Sequence, residues 1–354
     1  MSTVDTMVVG GGLTGAHLVR TLHRAGQQVA WWSDPRGPMA SRVAAGVLNP
    51  VTGRRLALTW RVETFLPFAR EVYRALEEEL GEPFFHEMPI RRFGFDERDR
   101  ERHAGRLADP EYAPYIGPWE EDFAAPAKVR REAGSFLIKG VGYVELGTLM
   151  PAWHRWGRAA GILREEPFAY ADLRLEAEGV RYGSCRAARV VFCEGTAGRS
   201  NPWFSPLPYR PVKGEIITLR ADPGPLPRVL FHHRKWVLPL GNGLFRIGST
   251  YDREDAANAP TEQGAADLMA GWQALFHEPV AGVIVDHQAG LRPASHDRHP
   301  YVDQHPRHPQ LYLANGLGSK GALLAPWIGD HLAGHLLRGN PLDPAFRLSR
   351  IKNR

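Results

Sequence analysis

Cysteine is almost missing from this chain: Cys185 and Cys193 are the only two in 354 residues. That excludes a disulfide framework, and a reducing compartment suits such a protein, so a cytoplasmic location is expected. Long hydrophobic runs are also missing. None approaches the length of a membrane span, and a membrane is not expected among the partners. No basic segment followed by an apolar one precedes the first expected strand, so no signal peptide is expected. Charge of one sign is scarce as well, with 44 Lys and Arg against 39 Asp and Glu and a net charge of +5. Such a balance permits an acidic substrate or RNA and demands neither. Internal repeats and low-complexity tracts are absent. What remains is a globular composition, 43% hydrophobic and 23% charged, long enough for two domains.

The most informative stretch is the N-terminal one. Met7, Val8 and Val9 form a short apolar run that stops at Gly10, Gly11 and Gly12. Ala16, Val19 and Leu22 then recur at helical spacing up to Gly26, and Val29 to Trp32 is a second apolar run. This reads as strand, turn, helix and strand, with Gly10, Gly12 and Gly15 in G-x-G-x-x-G register. Glycine is needed there because a side chain would block the turn, the approach of a pyrophosphate or the helix–strand packing. The helix N-terminus offers unpaired N–H groups and a positive dipole end to phosphates, so a dinucleotide site is expected. The second strand ends at Ser33 with Asp34 beside it, where an acid that binds a ribose hydroxyl is usual; either residue can take that hydrogen bond.

Further along, small residues dominate 40–46, which suggests close approach to a bulky planar ligand. An apolar stripe over 61–80 predicts a helix that kinks, or begins, at Pro67. Residues 91–106 interleave arginines with acids and read as a solvated segment rather than a nucleic-acid patch. Strands are expected at 136–139, 173–175, 180–182 and 190–193, and a helix at about 148–160. Strand signals crowd into 211–250, at 215–219, 229–231, 236–240 and 244–247. Thr261 is placed to cap a helix running to about 276. Strands at 283–286 and 311–314 and a helix over 323–337 finish the chain. Helix-linked strands thus return near 190 and 312, with antiparallel signals between them. Two interleaved domains fit this order better than two consecutive ones. His296, His299, His305 and His308 follow no ligand spacing and read as solvent-facing loop histidines, so no metal is expected.

Taken together, the N-terminal glycine turn, Ala40–Gly46, Gly142–Val144, Val190–Gly195, Gly290–Pro293 and Gly316–Pro326 resemble the FAD-dependent D-amino-acid-oxidase-like family. That family includes glycine oxidase, sarcosine oxidase and the oxidase domain of the bifunctional tRNA wobble-uridine enzyme. The segments 211–215, 248–252 and 316–321 lean towards the tRNA-enzyme oxidase. The resemblance covers nearly the whole chain. It implies an α/β fold in which a Rossmann-like FAD-binding domain is interleaved with an antiparallel-sheet α+β substrate domain. The FAD-binding part would comprise 1–50, 140–208 and 286–354, and the substrate part 51–139 and 209–285.

The same resemblance implies site residues. Gly10, Gly12 and Gly15, with Leu13 and Thr14, would hold the FAD pyrophosphate; Ser41, Arg42, Ala45 and Gly46 would line the flavin and ribityl; Gly195 would lie on the adenine side. Gly318, Ser319, Lys320 and Gly321, with the helix after them, would point N–H groups at the flavin pyrimidine edge, where reduction leaves negative charge. Arg292 would grip a substrate carboxylate by two parallel hydrogen bonds, and Tyr251 is a second candidate at the substrate; in their own right they also read as an ion-paired arginine and a packing residue. Neither cysteine is near the C-terminal glycine loop, so FAD should be non-covalent. The implied reaction oxidises the C–N bond of a small amine carrying a carboxylate: a D-amino acid, glycine or an N-substituted glycine. Its α-carbon gives hydride to flavin N5, the imine hydrolyses and oxygen reoxidises the flavin. Two alternatives stand beside it: oxidation of a carboxymethylamino group on a tRNA uridine, and a flavin-binding regulatory protein without turnover.

Overall fold

The computed structural model describes residues 2–121, 123, 128–130 and 134–351. The remaining positions of the segments 1–50, 51–139 and 286–354 lie outside the described residues. Its organising element is the expected N-terminal unit: strand Ser2–Val9, helix Leu13–Arg24 and strand Val29–Trp32. The first strand pairs in parallel with Val29–Trp32 on one side and with Cys185–Phe192 on the other. Leu163–Arg164 extends the sheet beyond Val29–Trp32, and Leu311–Asn315 adds a parallel strand beside Cys185–Phe192. Residues distant in sequence therefore deliver the carboxyl ends of five parallel strands to one edge, where open α/β sheets bind ligands. Helices Leu13–Arg24 and Gly321–Arg338 pack together on one face of this sheet, in a core with Leu18, Val19, Leu22, Ile328 and Leu332.

An antiparallel second sheet carries the other half of the cavity. Its strand order is Gly282–Arg292, Val212–Ala221, Leu244–Gly248, Trp236–Gly241, Leu230–His232, Ile90–Phe93, Ser135–Ile138 and Ile116–Glu120. Only the contact between Leu230–His232 and Ile90–Phe93 is parallel. A three-stranded sheet of Val47–Leu48, Gly142–Val144 and Phe85–Glu87 lies between them in chain order. The fold is thus the α/β, interleaved architecture expected.

Several elements differ from expectation. The helix stripe at 61–80 forms one helix, Val62–Leu80, which starts five residues before Pro67 and takes the proline into its second turn. The segment 91–106 is not simply solvated. Ile90–Phe93 is a buried strand with Arg91 and Arg92 both inside, and Glu97–Leu107 is a helix capped by Asp96. The side chain of Arg91 pairs with Glu120 at 2.9 Å and lies over the ring of Phe123, so the alternating charges hide a strand. The strand expected at 283–286 runs from Gly282 to Arg292 and lies wholly in the second sheet. Residues 286–292, which the resemblance groups with the FAD-binding segments, therefore pair with the second sheet instead. Among the four histidines, His305 is buried, its Nδ1 accepting from the backbone N–H groups of Arg307 and His308. Among the described residues no helix is long and apolar enough to cross a membrane.

Candidate active site

Between the strand ends of the first sheet and one face of the second lies a cavity of about 580 Å³. One wall is the glycine turn. Gly10 has φ +123, and a Cβ there would sit 2.2 Å from the Cys193 carbonyl oxygen. At Gly15 a Cβ would meet the Gly10 carbonyl oxygen at 2.0 Å, so this third glycine lets the helix lie against the strand and is not itself on the cavity wall. Gly12 differs from both. It lines the cavity, its backbone is extended at φ −81 and ψ −176, and its Cβ would meet nothing closer than Ser41 Oγ at 3.4 Å. Leu13 and Thr14 follow on the wall at the first turn of the helix, where the Leu13 N–H donates to Ser41 Oγ at 3.2 Å. Replacing Gly15 with alanine should therefore destabilise the protein by about 1–3 kcal/mol through a backbone clash, the scale of overpacking. A thermal melt of the two purified proteins measures this.

The two candidates at the end of the second strand stand in different places. Ser33 is buried beneath Gly11, its Oγ 3.4 Å from His154 Nε2, whereas Asp34 lines the cavity. Of the segment that follows, Ser41, Ala45 and Gly46 line the cavity. Arg42 does not: it is exposed and reaches the Gly37 carbonyl. Gly46 has φ +71, and a Cβ would fall 2.0 Å from the Val144 carbonyl oxygen, which is how the Gly142–Val144 motif presses this turn against the cavity.

At the far ends of the parallel strands, Gly195 lies on the wall, its carbonyl accepting from Asn315 Nδ2 at 2.9 Å. Beside it Glu194 is held by Tyr170 Oη at 2.6 Å and Asn201 Nδ2 at 2.9 Å; burial pushes its pKa up to about 7 against these hydrogen bonds. Gly318, Ser319, Lys320 and Gly321 all line the cavity, in a 3₁₀ turn that runs into helix Gly321–Arg338. Two helices thus open their N-terminal ends onto the same cavity. The Lys320 ammonium donates to Thr59 Oγ1 at 2.9 Å, and burial, with Arg298 second, lowers its pKa to about 8.

On the second sheet Arg292 faces the cavity. Its Nη1 donates to the Lys213 carbonyl at 3.1 Å, and its Nη2 to Ser249 Oγ at 2.8 Å and the Thr250 carbonyl at 3.3 Å. These three contacts leave at least two of its five N–H donors without a protein partner among the described residues. No acidic side chain pairs with it among those residues, and burial lowers its pKa, so it is not the ion-paired arginine of the plainer reading. Tyr251 is 60% exposed and off the cavity wall; its ring stands 5.4 Å from the Arg292 guanidinium carbon. It is neither a packed core residue nor a group facing the cavity. The sequence reading missed Gly214, Trp236 and His232, which also line the cavity. Burial and Arg92 push His232 down to about 3, so it is neutral. Only the alternation of residues along each strand, joined to the strand pairing, could have found them.

The cavity tests positively for a dinucleotide carrying a planar ring. The glycine turn is free of side chains on the cavity side, two helix N-termini face it, and small residues line the approach at 44–46. Such a fold and site define a dinucleotide-dependent oxidoreductase of the interleaved two-sheet type. The family model "DAO: FAD dependent oxidoreductase" matches residues 5–334, and the chain belongs to that family; its cofactor is FAD. It is 28% identical to glycine oxidase of Bacillus licheniformis over 367 residues, covering 98% of this chain and 97% of that protein. It is 24% identical to the tRNA 5-methylaminomethyl-2-thiouridine biosynthesis bifunctional protein MnmC of Marinobacter nauticus, covering 100% of this chain but 58% of that protein. The solved glycine oxidase of Geobacillus kaustophilus superposes with a TM-score of 0.84 at 24% identity, over 100% of both chains, a likeness of fold.

Proposed function

We propose that this FAD-dependent oxidoreductase oxidises the C–N bond of a small amine that carries a carboxylate: glycine, an N-substituted glycine or a D-amino acid. One observation carries the reading. Arg292 presents a half-buried guanidinium to the cavity with N–H donors to spare and, among the described residues, no acid paired with it. A planar guanidinium binds a carboxylate through two charge-assisted bonds and so fixes the α-carbon in one place. FAD, when bound, supplies the two-electron acceptor for the hydride leaving that carbon. The chain's own residues orient and stabilise. Asp34 would hold a ribose hydroxyl, the turn at Gly10–Thr14 would receive the pyrophosphate, and the Gly318–Gly321 turn would offer N–H groups to the flavin; all of these residues line the cavity. Residues 1–50, 140–208 and 293–354 would then form the cofactor part, and 51–139 and 209–292 the substrate part.

The arginines of 91–106 do not strengthen the RNA alternative. Arg91 and Arg92 are buried, and Arg100 and Arg102 pair with Glu121 and Asp99. The deciding measurement is anaerobic mixing of the purified yellow protein with amines, each beside its decarboxylated analogue, while the flavin absorbance is followed. Bleaching by carboxylated amines alone supports the reading. Bleaching by the decarboxylated amine at an equal rate removes it, and no bleaching by any amine favours a protein without turnover. Acid precipitation of the same sample should release all of the flavin. Cys193 does line the cavity, but burial and Glu194 push its thiol pKa up, which leaves it protonated and a poor nucleophile. Colour kept in the pellet would contradict this.

A further inference from the structure

Two glycines of the second sheet are empty for a reason. Side chains of directly paired residues share a face, and the pairs Gly214 with Gly290, Val212 with Arg292, Ile216 with Gly248, and Gly248 with Trp236 place all of these on the cavity side. Across that face the strands run in the order Gly282–Arg292, Val212–Ala221, Leu244–Gly248, Trp236–Gly241. Arg292, on the first, reaches over the second: a Cβ at Gly214 would fall 2.0 Å from its Nη2 and 2.3 Å from its Cζ. Trp236, on the fourth, reaches back over the third: a Cβ at Gly248 would fall 2.3 Å from its Cζ2 and 2.9 Å from its Cη2. The guanidinium and the indole therefore extend towards each other across the two middle strands. Ser249, the residue after Gly248, already bonds to the guanidinium. Gly214 and Gly248 are diagonal neighbours in the register, and such positions lie about 7–8 Å apart. Cation and ring thus stand side by side over the two middle strands, both on the cavity wall.

We propose that Trp236 is the residue that sets substrate size, by standing as a wall beside the carboxylate clamp. This rests on the reading that Arg292 holds the carboxylate. A substrate held there has its α-carbon next to the indole, and a hydrogen or one small group fits on that carbon while an aromatic ring collides. Beyond the indole the same face continues with His232, which pairs with Trp236, and then with Leu230 and Ile90, both on the cavity wall. These residues are neutral or apolar. Removing the indole joins the space over Gly248 to this strip and creates room for a large apolar side arm.

The test uses the FAD-loaded protein and two carboxylates that cannot be oxidised, acetate and phenylacetate, with binding followed through the flavin absorbance. Parent protein should prefer acetate. Trp236→Ala should shift the affinity ratio towards phenylacetate by at least about tenfold, the scale of discrimination set by pocket shape. Reduction rates with glycine and phenylglycine should shift in the same sense. Trp236→Phe, which keeps an aromatic side chain on the face, should shift both ratios part of the way, and it decides the matter if the alanine variant does not fold. A parent that binds phenylacetate as well as acetate, or variants whose ratios equal the parent's, would overturn the assignment. Arg292→Ala separates the two claims. If it binds both acids as tightly as the parent does, the carboxylate clamp is wrong and the size wall falls with it. If it loses both while the Trp236 variants leave the ratio unchanged, only the size wall is wrong.

Discussion

Replacing Arg292 with alanine should slow flavin reduction by the true substrate by orders of magnitude while leaving FAD content near that of the parent. Hydrogen bonds to charged groups contribute about 1.5–3 kcal/mol each, so losing two corresponds to about 10²–10⁴ in rate. The lysine variant should fall between, because an ammonium keeps the charge but not the planar two-point grip. FAD should stay because the contacts Arg292 makes are to Lys213 in the second sheet and to Ser249 and Thr250 just after its strand Leu244–Gly248, not to the glycine turns. The decarboxylated amine supplies the control. Its reduction rate should be slow in the parent and change little in the variant, so the parent's preference for the acid should collapse. Stopped-flow absorbance with both amines measures all four rates. An alanine variant as fast as the parent with the carboxylated amine would end the claim that the substrate is an amino acid.

Gly12→Val should give a folded but largely colourless protein. The reason is particular to this one glycine. Its backbone is extended and open to any residue, and a Cβ would find no protein atom within 3.4 Å, so the fold has no quarrel with a side chain. The new methyl groups would instead occupy the cavity between the turn and Ser41, where the pyrophosphate is placed. Gly10 and Gly15 lack this separation, since a side chain at either strikes backbone oxygen first. Circular dichroism and the flavin-to-protein absorbance ratio should therefore part company at Gly12: native spectrum, lost yellow. A Gly12→Val protein with FAD at the parent's occupancy would show that the phosphates lie elsewhere.

Much of the cofactor half is readable without coordinates, because its signals are local. The run Met7–Val9, three glycines in register and the stripe Ala16, Val19 and Leu22 lie within twenty residues and need no distant partner to be understood. Thr261 was legible in the same way: its hydroxyl accepts from the Gly264 N–H at the start of helix Glu262–Gln273. The segment 91–106 misled because its charges alternate. Inside a sheet Arg91 and Arg92 point to opposite faces and find separate surroundings, Glu120 and Phe123 for one, and for the other burial that lowers its pKa to about 10, opposed by Asp99. Pattern alone does not reveal such partners when they come from another part of the chain.

The sequence by itself determined the class of this protein: a dinucleotide turn at the N-terminus, a glycine loop and helix at the C-terminus and antiparallel strands between them, whereas Arg292 as the candidate cation came from the family resemblance those motifs carry. The reason is that backbone turns and helix ends are decided by residues a few positions apart. Only the tertiary structure decided which groups meet. It buried Ser33 and left Asp34 on the wall, turned Arg42 and Tyr251 outward, and carried Gly282–Arg292 into the second sheet. It also brought Arg292 and Trp236 together over Gly214 and Gly248, which no spacing in the chain announces. Strand register fixes those encounters, and register is set by the pairing of whole strands, so the placing of side chains 56 positions apart on one face is a property of the sheet and not of either segment.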